Sequence, residues 1–382
     1  MKFLTAGESH GKGLIGILEG LPAGLEIDEN YINQHLARRQ QGHGRGKRME
    51  IEHDQAEIYS GVRFGKTIGS PIGLIVKNRD WKNWSRKMAV AGSDKNVKKV
   101  TLPRPGHADL AGAQKFGFDD IRNVLERSSA RETAMRVALG SLARKLLAEV
   151  NIAVGSRVTQ IHQAKDESQL AEQFNLKKLT EQIDLSPVRC LDKTAEKAML
   201  AAIDDAKSVG DSVGGVFEVL ATGLPYGLGS YTHWDRKLTT RLSAAIMSIN
   251  AIKGVEFGGG FVSAESMGSQ THDEILWDEV TYQRATNNAG GLEGGMTNAQ
   301  PLILRAAMKP IPTLMKPLRS VDMQTKIEKS AHKERTDVCA VPAASIVAES
   351  MVCLILADTL LEKFGGDTVD QLKDHMKTSA RY

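Results

Sequence analysis

Apolar positions along the chain recur at two periods, and these predict where strands and helices lie. Residues 2–6 and 13–19 have strand length and strand patterning, around a loop G-E-S-H-G at 7–11. Gly20-Leu21-Pro22-Ala23-Gly24-Leu25 reads as a turn, and Asp28 as the N-cap of a helix running to about Arg39. Residues 71–76 form an apolar strand. From 119 to 150, apolar residues return at Ile121, Val124, Leu125, Ala134, Val137, Ala138, Leu142 and Leu146, near a 3.6 period, which predicts one long helix. Strands follow at 151–162 and 215–221, and helices at 194–209 and about 235–249. Strands at 301–308 and 319–327 precede a last long helix at 341–364, where Pro342 is tolerated in the first turn. Two stretches follow neither period. Residues 80–100 are polar, with Trp81, Trp84 and many lysines, and 165–190 are equally irregular, so both read as surface excursions.

One pattern occurs twice. Gly223-Leu224-Pro225-Tyr226-Gly227-Leu228 echoes the G-L-P-x-G-L of residues 20–25, and each copy follows an apolar strand and precedes a helix. Two similar halves would produce this, and so would ordinary turn chemistry, since Gly and Pro favour turns.

Composition narrows the class. The chain has 382 residues, enough for one large domain or two, and 41% of them are hydrophobic, enough for a full core. Only 5% are aromatic, which counts against a base-stacking nucleic-acid surface. Cys190, Cys339 and Cys353 are odd in number and lack C-x-x-C spacing, which points to a reducing compartment and no zinc site. The N-terminal apolar run is too short for a signal peptide, and Met351–Ala357 reads as buried helix rather than membrane span. No G-x-x-x-x-G-K-[ST] occurs. The G-x-G-x-G at 42–46 follows a helix rather than a strand, so the dinucleotide fingerprint is absent.

Candidate chemistry lies in a few stretches. Arg104–Thr133 opens with Arg104, a Pro105-Gly106 turn and His107, and then carries Arg122, Arg127, Ser128, Ser129 and Arg131. On one continuous helix Arg127 and Arg131 share a face, where an anion would relieve their repulsion; the plain alternative pairs them with Glu126 and Glu132 in solvent. His10, between glycines, suits proton transfer, or is a surface histidine; the G-x-S-x-G of a serine hydrolase is missing. Arg38, Arg39, His43, Arg45, Lys47 and Arg48 cluster around glycines 42, 44 and 46. They read as a phosphate and carboxylate clamp, or else as a nucleic-acid-binding arm. Residues 287–298 are poor in bulk and would admit a flat ligand or a phosphate, or merely connect. Met308-Lys309-Pro310-Ile311-Pro312-Thr313 is stiffened by two prolines, and Asp337 is a helix cap or an ionised base beside Arg335.

Taken together, G-E-S-H-G at 7–11, G-R-G-K-R-M at 44–49, R-P-G-H-A-D-L at 104–110, L-E-R-S-S-A-R-E-T-A at 125–134, G-G-L-E-G-G-M-T-N at 290–298, M-K-P-I-P-T at 308–313 and E-R-T-D-V-C-A-V-P-A-A-S-I-V-A-E at 334–349 resemble the chorismate synthase family, in order from Met1 to about Phe364. The resemblance implies an α+β fold, a β-α-β sandwich with helices between two antiparallel sheets. It implies one domain over 1–382 with two similar halves and a tail at 365–382. It implies a lyase of the shikimate pathway and aromatic amino-acid biosynthesis: a 1,4-anti elimination of phosphate and the C6 hydrogen from 5-enolpyruvylshikimate 3-phosphate. The family needs reduced FMN although no net redox change occurs.

Carried over by motif, Ser9, Arg39, Arg45, Arg48, Arg104, Ser129, Arg131 and Arg335 would bind substrate. His107 would be the acid at the leaving phosphate, His10 would protonate the reduced flavin, and Asp337 would assist proton removal. The flavin would contact Arg127, Ser128, Ser129, Asn250, Ala251, Gly294, Lys309, Pro310, Ile311, Pro312, Thr313 and Arg335. In some members NADP is assigned to the positions of Arg39 and Arg45. NAD(P)H is expected here only as an indirect flavin reductant, through an external flavin reductase. The resemblance further implies a cytoplasmic homotetramer with no metal, nucleic acid or membrane. A carrier that binds FMN without chemistry would have no need of His10, His107 and Asp337.

Overall fold

The computed structural model describes residues 1–46, 52–93, 95–170, 174–334 and 336–379. Two antiparallel sheets enclose a layer of helices. The first sheet has the order β1-β2-β4-β3, from β1 (Lys2–Ala6), β2 (Gly13–Glu19), β3 (Ala56–Ser60) and β4 (Ile72–Lys77). Alternation along β2 buries Leu14, Gly16 and Leu18 and leaves Ile15 and Ile17 outside. The second sheet has the order β9-β12-β7-β5-β6, from β5 (Ala153–Ile161), β6 (Ala164–Lys165), β7 (Gly215–Thr222), β9 (Ile252–Phe257) and β12 (Leu302–Met308). A smaller sheet joins β8 (Tyr226–Gly229), β11 (Met296–Asn298) and β10 (Leu292–Glu293).

Between the sheets lie α1 (Glu29–Gln40), α4 (Thr133–Glu149) and α8 (Val341–Phe364). Helix α4 packs on β2 and β4, α8 packs on β5 and β7, and the two helices pack on each other. Two glycines set these spacings. A Cβ on Gly16 would fall 2.4 Å from Met135 Sδ, and one on Gly140 would fall 2.5 Å from Ser350 Cβ. Helix α8 is long and apolar enough to span a membrane by length and composition, but it lies buried in the core. Its Glu349 is fully buried and is held by Arg38 at 2.8 Å, Arg144 at 2.5 Å, Arg189 at 3.2 Å and Ser156 Oγ at 2.7 Å. A charge buried so deeply stands only when paired and hydrogen-bonded.

The long helix expected over 119–150 is broken. Helix α3 (Arg122–Ser128) ends at Ser129, whose backbone is extended at φ −64° and ψ 141°; a 3₁₀ turn, Ala130–Glu132, then leads into α4. The Ser129 hydroxyl accepts the Arg131 N–H at 3.2 Å, a local bond that competes with helix continuation. Residues 165–190 are more than a surface excursion: they contain α5 (Leu176–Asp184), and Arg189 is buried beside Glu349. The strand expected over 319–327 is shorter, Arg319–Val321, paired with Glu328–Ser330.

The repeated G-L-P-x-G-L is the same structure twice. Gly20, Gly24, Gly223 and Gly227 have φ of +96°, +88°, +78° and +75°, and all four leucines are buried. In the first copy Thr67 Oγ1 donates to Pro22 O at 2.6 Å and accepts Leu25 N–H at 2.9 Å. In the second, Thr297 Oγ1 donates to Pro225 O at 2.5 Å and accepts Leu228 N–H at 2.8 Å.

Candidate active site

A cavity of about 760 Å³ opens at the edge of the helical layer. Its walls come from loop 7–11, the end of α1, residues 104–108, the α3–α4 break, 249–253, 308–313 and the segment before α8. This volume suits a ligand of cofactor size.

One wall is cationic. Arg39 ends α1, where its charge also suits the helix C-terminus. It donates to Thr133 Oγ1 at 3.0–3.1 Å and to Ala130 O at 2.9 Å, and lies 3.6 Å from Asp54. Arg131 donates to Asn78 Oδ1 at 2.9 Å and to Asp54 Oδ1 at 2.5 Å. Arg45 meets Asp337 Oδ2 at 2.6 Å, and Gly46 N–H donates to Asp337 Oδ1 at 2.7 Å. Glycine is required here, because a Cβ on Gly46 would fall 2.9 Å from Thr336 O. Arg39 and Arg131 are 5% and 4% exposed, yet Arg39 Nη1 and Arg131 Nη2 have no hydrogen bond among the described residues. Burial, together with the charges of Arg45 and Arg131, pulls the Arg39 guanidinium down to about 10 against the attraction of Asp54. A bound anion would relieve both costs.

A second group surrounds His107. Asp109, the first residue of α2 (Asp109–Phe116), is fully buried and meets His107 Nδ1 at 2.5 Å. Its other oxygen accepts the backbone N–H and Nε–H of Arg104, each at 2.9 Å. Burial alone would raise this carboxyl, but the hydrogen bonds from His107 and Arg104 outweigh it and hold it well below the usual range. Arg104 also donates to Thr313 Oγ1 at 2.7 Å, and Lys309 Nζ donates to Gly106 O at 2.6 Å.

The third group surrounds His10. Glu126 accepts the His10 backbone N–H at 2.7 Å and lies 2.9 Å from its Nδ1, and Trp84 stacks on the ring at 3.9 Å. Ser9 Oγ lies 3.1 Å from Ser129 Oγ. Arg122 joins Glu126 at 3.4 Å and Glu334 at 2.7 Å. Burial would raise the Glu334 carboxyl, but the His332 hydrogen bond and the Arg122 charge bring it down to about 2.

Of the expected residues, Ser9, His10, Arg39, Arg45, Arg104, His107, Ser128, Ser129, Arg131, Asn250, Ala251, Lys309, Ile311, Pro312, Thr313 and Asp337 line this one cavity. Arg48 and Arg335 lie outside the described residues. Arg127 does not line it. The helix break turns Arg127 to the backbone oxygens of Thr5 and Gly7 on the β1 side, so it shares no face with Arg131. Gly294 sits instead in the tight turn between β10 and β11, at φ +59°, and Pro310 is not among the lining residues. Arg38 and His43 leave the clamp, the first for buried Glu349 and the second for Asp204. Sequence patterning missed Trp84, which lies in an aperiodic stretch, and the acids Asp54, Asp109 and Glu126, whose spacing gives no sign of burial.

The family model described as chorismate synthase matches residues 1–361. The chain belongs to the chorismate synthase family. It is 55% identical to the chorismate synthase of Bacillus subtilis (strain 168), over 99% of this chain and 98% of that one. It is 56% identical to a Bacillus cereus protein named chorismate synthase 1, over 100% of this chain and 99% of that one. A crystal structure of chorismate synthase superimposes with a TM-score of 0.81 at 44% identity, over 99% of this chain and 97% of that one. The chain is therefore a lyase of the chorismate synthase family, with that family's sandwich of helices between antiparallel sheets.

Proposed function

We propose that this cavity eliminates phosphate and the C6 hydrogen from 5-enolpyruvylshikimate 3-phosphate to give chorismate. The observation that carries the reading is the pair of buried guanidiniums, Arg39 and Arg131, each with one Nη that lacks a hydrogen bond among the described residues, in a cavity that also holds His10, His107 and Asp337. The substrate carries two carboxylates and a phosphate, and arginine forks suit both. Arg39, Arg45 and Arg131 hold these anions, with Ser9, Ser129 and the motif residues Arg48 and Arg335. Arg104 and His107 take the leaving phosphate, and His107 gives its proton to the departing oxygen. Asp337 takes part in removing the C6 proton, and Arg45 at 2.6 Å holds its carboxylate in place.

The residues also fit FMN. Met247, Ile249, Ile252, Ile311 and Pro312 give the cavity an apolar side for a flat ring. Beside them Ala251 adopts the left-handed conformation at φ +67°, and its carbonyl accepts the Lys309 N–H at 3.0 Å. Such strain gathers at ligand sites. Ser128, Ser129, Asn250, Ala251 and the 309–313 segment would hold the cofactor, and His10 would hold a proton for it. When bound, reduced FMN supplies a transient electron that eases phosphate departure and is recovered by the end of the turnover.

The reduced flavin comes from a separate reductase, the chain acts as one cytoplasmic domain, and it assembles as a homotetramer. Leu4, Ile15 and Ile17, 71%, 50% and 45% exposed on the outer face of the first sheet, support assembly. A monomer in sedimentation would contradict it. Anaerobic mixing of the protein with reduced FMN and substrate tests the central reading. Chorismate and phosphate should appear in equal amounts, and absence of both overturns it.

A further inference from the structure

We infer that Glu126 is the positioning residue of His10 and fixes which ring nitrogen carries its proton. The inference rests on the reading of His10 as a proton-holding residue. The Glu126 side chain is 2% exposed, and both its oxygens face loop 7–11. Oε2 accepts the His10 backbone N–H at 2.7 Å, and Oε1 lies 2.9 Å from His10 Nδ1. The Glu126 carbonyl accepts the Ser9 N–H at 3.0 Å, so helix and loop are tied at three points. Asn78 Nδ2 fastens the loop from the other side, donating to the carbonyls of Glu8, Ser9 and Gly11 at 2.9–3.3 Å. Trp84, stacked at 3.9 Å and an interplanar angle of 25°, restrains rotation of the ring, and its own indole N–H is held by buried Asp80 at 3.1 Å.

An ionised carboxylate only accepts, so Nδ1 of the neutral ring must be the protonated nitrogen and Nε2 carries the lone pair. A ring of either tautomer would pack equally well, so what Glu126 selects is protonation rather than shape.

The substitution Glu126→Gln separates these roles. The backbone N–H of His10 can only donate, so it takes the amide oxygen. The amide NH₂ then faces Nδ1, at the loss of the long 3.4 Å bond that Oε1 accepts from Arg122 Nη1, and only an unprotonated Nδ1 can accept from it. Imidazole ¹⁵N shifts of the ligand-free protein, with His10 assigned by its loss in His10→Gln, should show Nδ1–H in the parent and Nε2–H in Glu126→Gln. The anaerobic turnover number should fall about 100-fold while KM for substrate stays within about threefold. Glu126→Asp keeps a carboxylate and should retain Nδ1–H, which serves as the test if Glu126→Gln fails to fold. The same tautomer in the parent and Glu126→Gln, or loss of Nδ1–H in Glu126→Asp, overturns the role of Glu126. A switched tautomer with unchanged turnover overturns the reading of His10 instead.

Discussion

Asp109 shows how single side chains here serve two partners at once. One of its oxygens orients His107 at 2.5 Å, and the other holds Arg104 through two bonds at 2.9 Å. Asp109→Asn keeps the shape but has one acceptor where two are used: with the amide oxygen on Arg104, the NH₂ faces His107 Nδ1 and can bond only a ring unprotonated there, so the His107 tautomer changes. We expect kcat/KM to fall about 100-fold, with the unfolding free energy from urea titration lowered by no more than the ~1–3 kcal/mol of a buried hydrogen bond to charge. Near-normal kcat/KM would remove Asp109 from the site. Arginines, serines and histidines of the cavity were legible in the sequence because their motifs are long and carry unusual residues. The buried acids Asp54, Asp109 and Glu126 were not, because an acid on a helix reads as solvated until its neighbours are known. Trp84 was hidden for a related reason, since no periodicity marks residues 80–100 and only the fold brings its ring against His10.

At the scale of elements, α1 links the core to the cavity. Its last turn sends Arg38 to buried Glu349 and Arg39 to the cationic wall. His35, one turn earlier, shares the environment of Arg38 and Arg144. Burial first, and then these two charges, bring its ring from the ordinary 6.5 down to about 3, against the pull of Glu349. Between those values the unfolded chain binds a proton that the folded protein does not. The stabilising contribution of His35 is therefore complete above pH 6.5 and lost as pH falls toward 3. In His35→Gln the fall of the urea midpoint over this window should be shallower than in the parent; parallel curves would show that His35 titrates normally. The strand at 13–19 and the helix at 341–364 fall where the sequence placed them, the helix as a long apolar run buried on nearly every side. The α3–α4 break did not, because apolar spacing continues across it and only the Ser129 hydroxyl bond marks it. The repeated G-L-P-x-G-L was visible as letters. That a threonine from elsewhere, Thr67 or Thr297, completes each copy in the same way was not.

Across the whole molecule, the sandwich gathers segments as distant as residues 9 and 337 around one cavity, with cationic side chains on one side and apolar ones on another. Sequence order alone could not supply this convergence; the family resemblance did, and the fold accounts for it through α4 and α8, packed between the two sheets. Central to the proposed function is that this cavity binds a multiply charged anion and that His107 protonates its leaving phosphate. Single-turnover kinetics of His107→Ala under anaerobic conditions, measured beside the dissociation constant for substrate, test it most directly. The rate should fall about 10²–10⁴-fold, with affinity changed by no more than about threefold. An unchanged rate at saturating substrate, with affinity alone reduced, would contradict it.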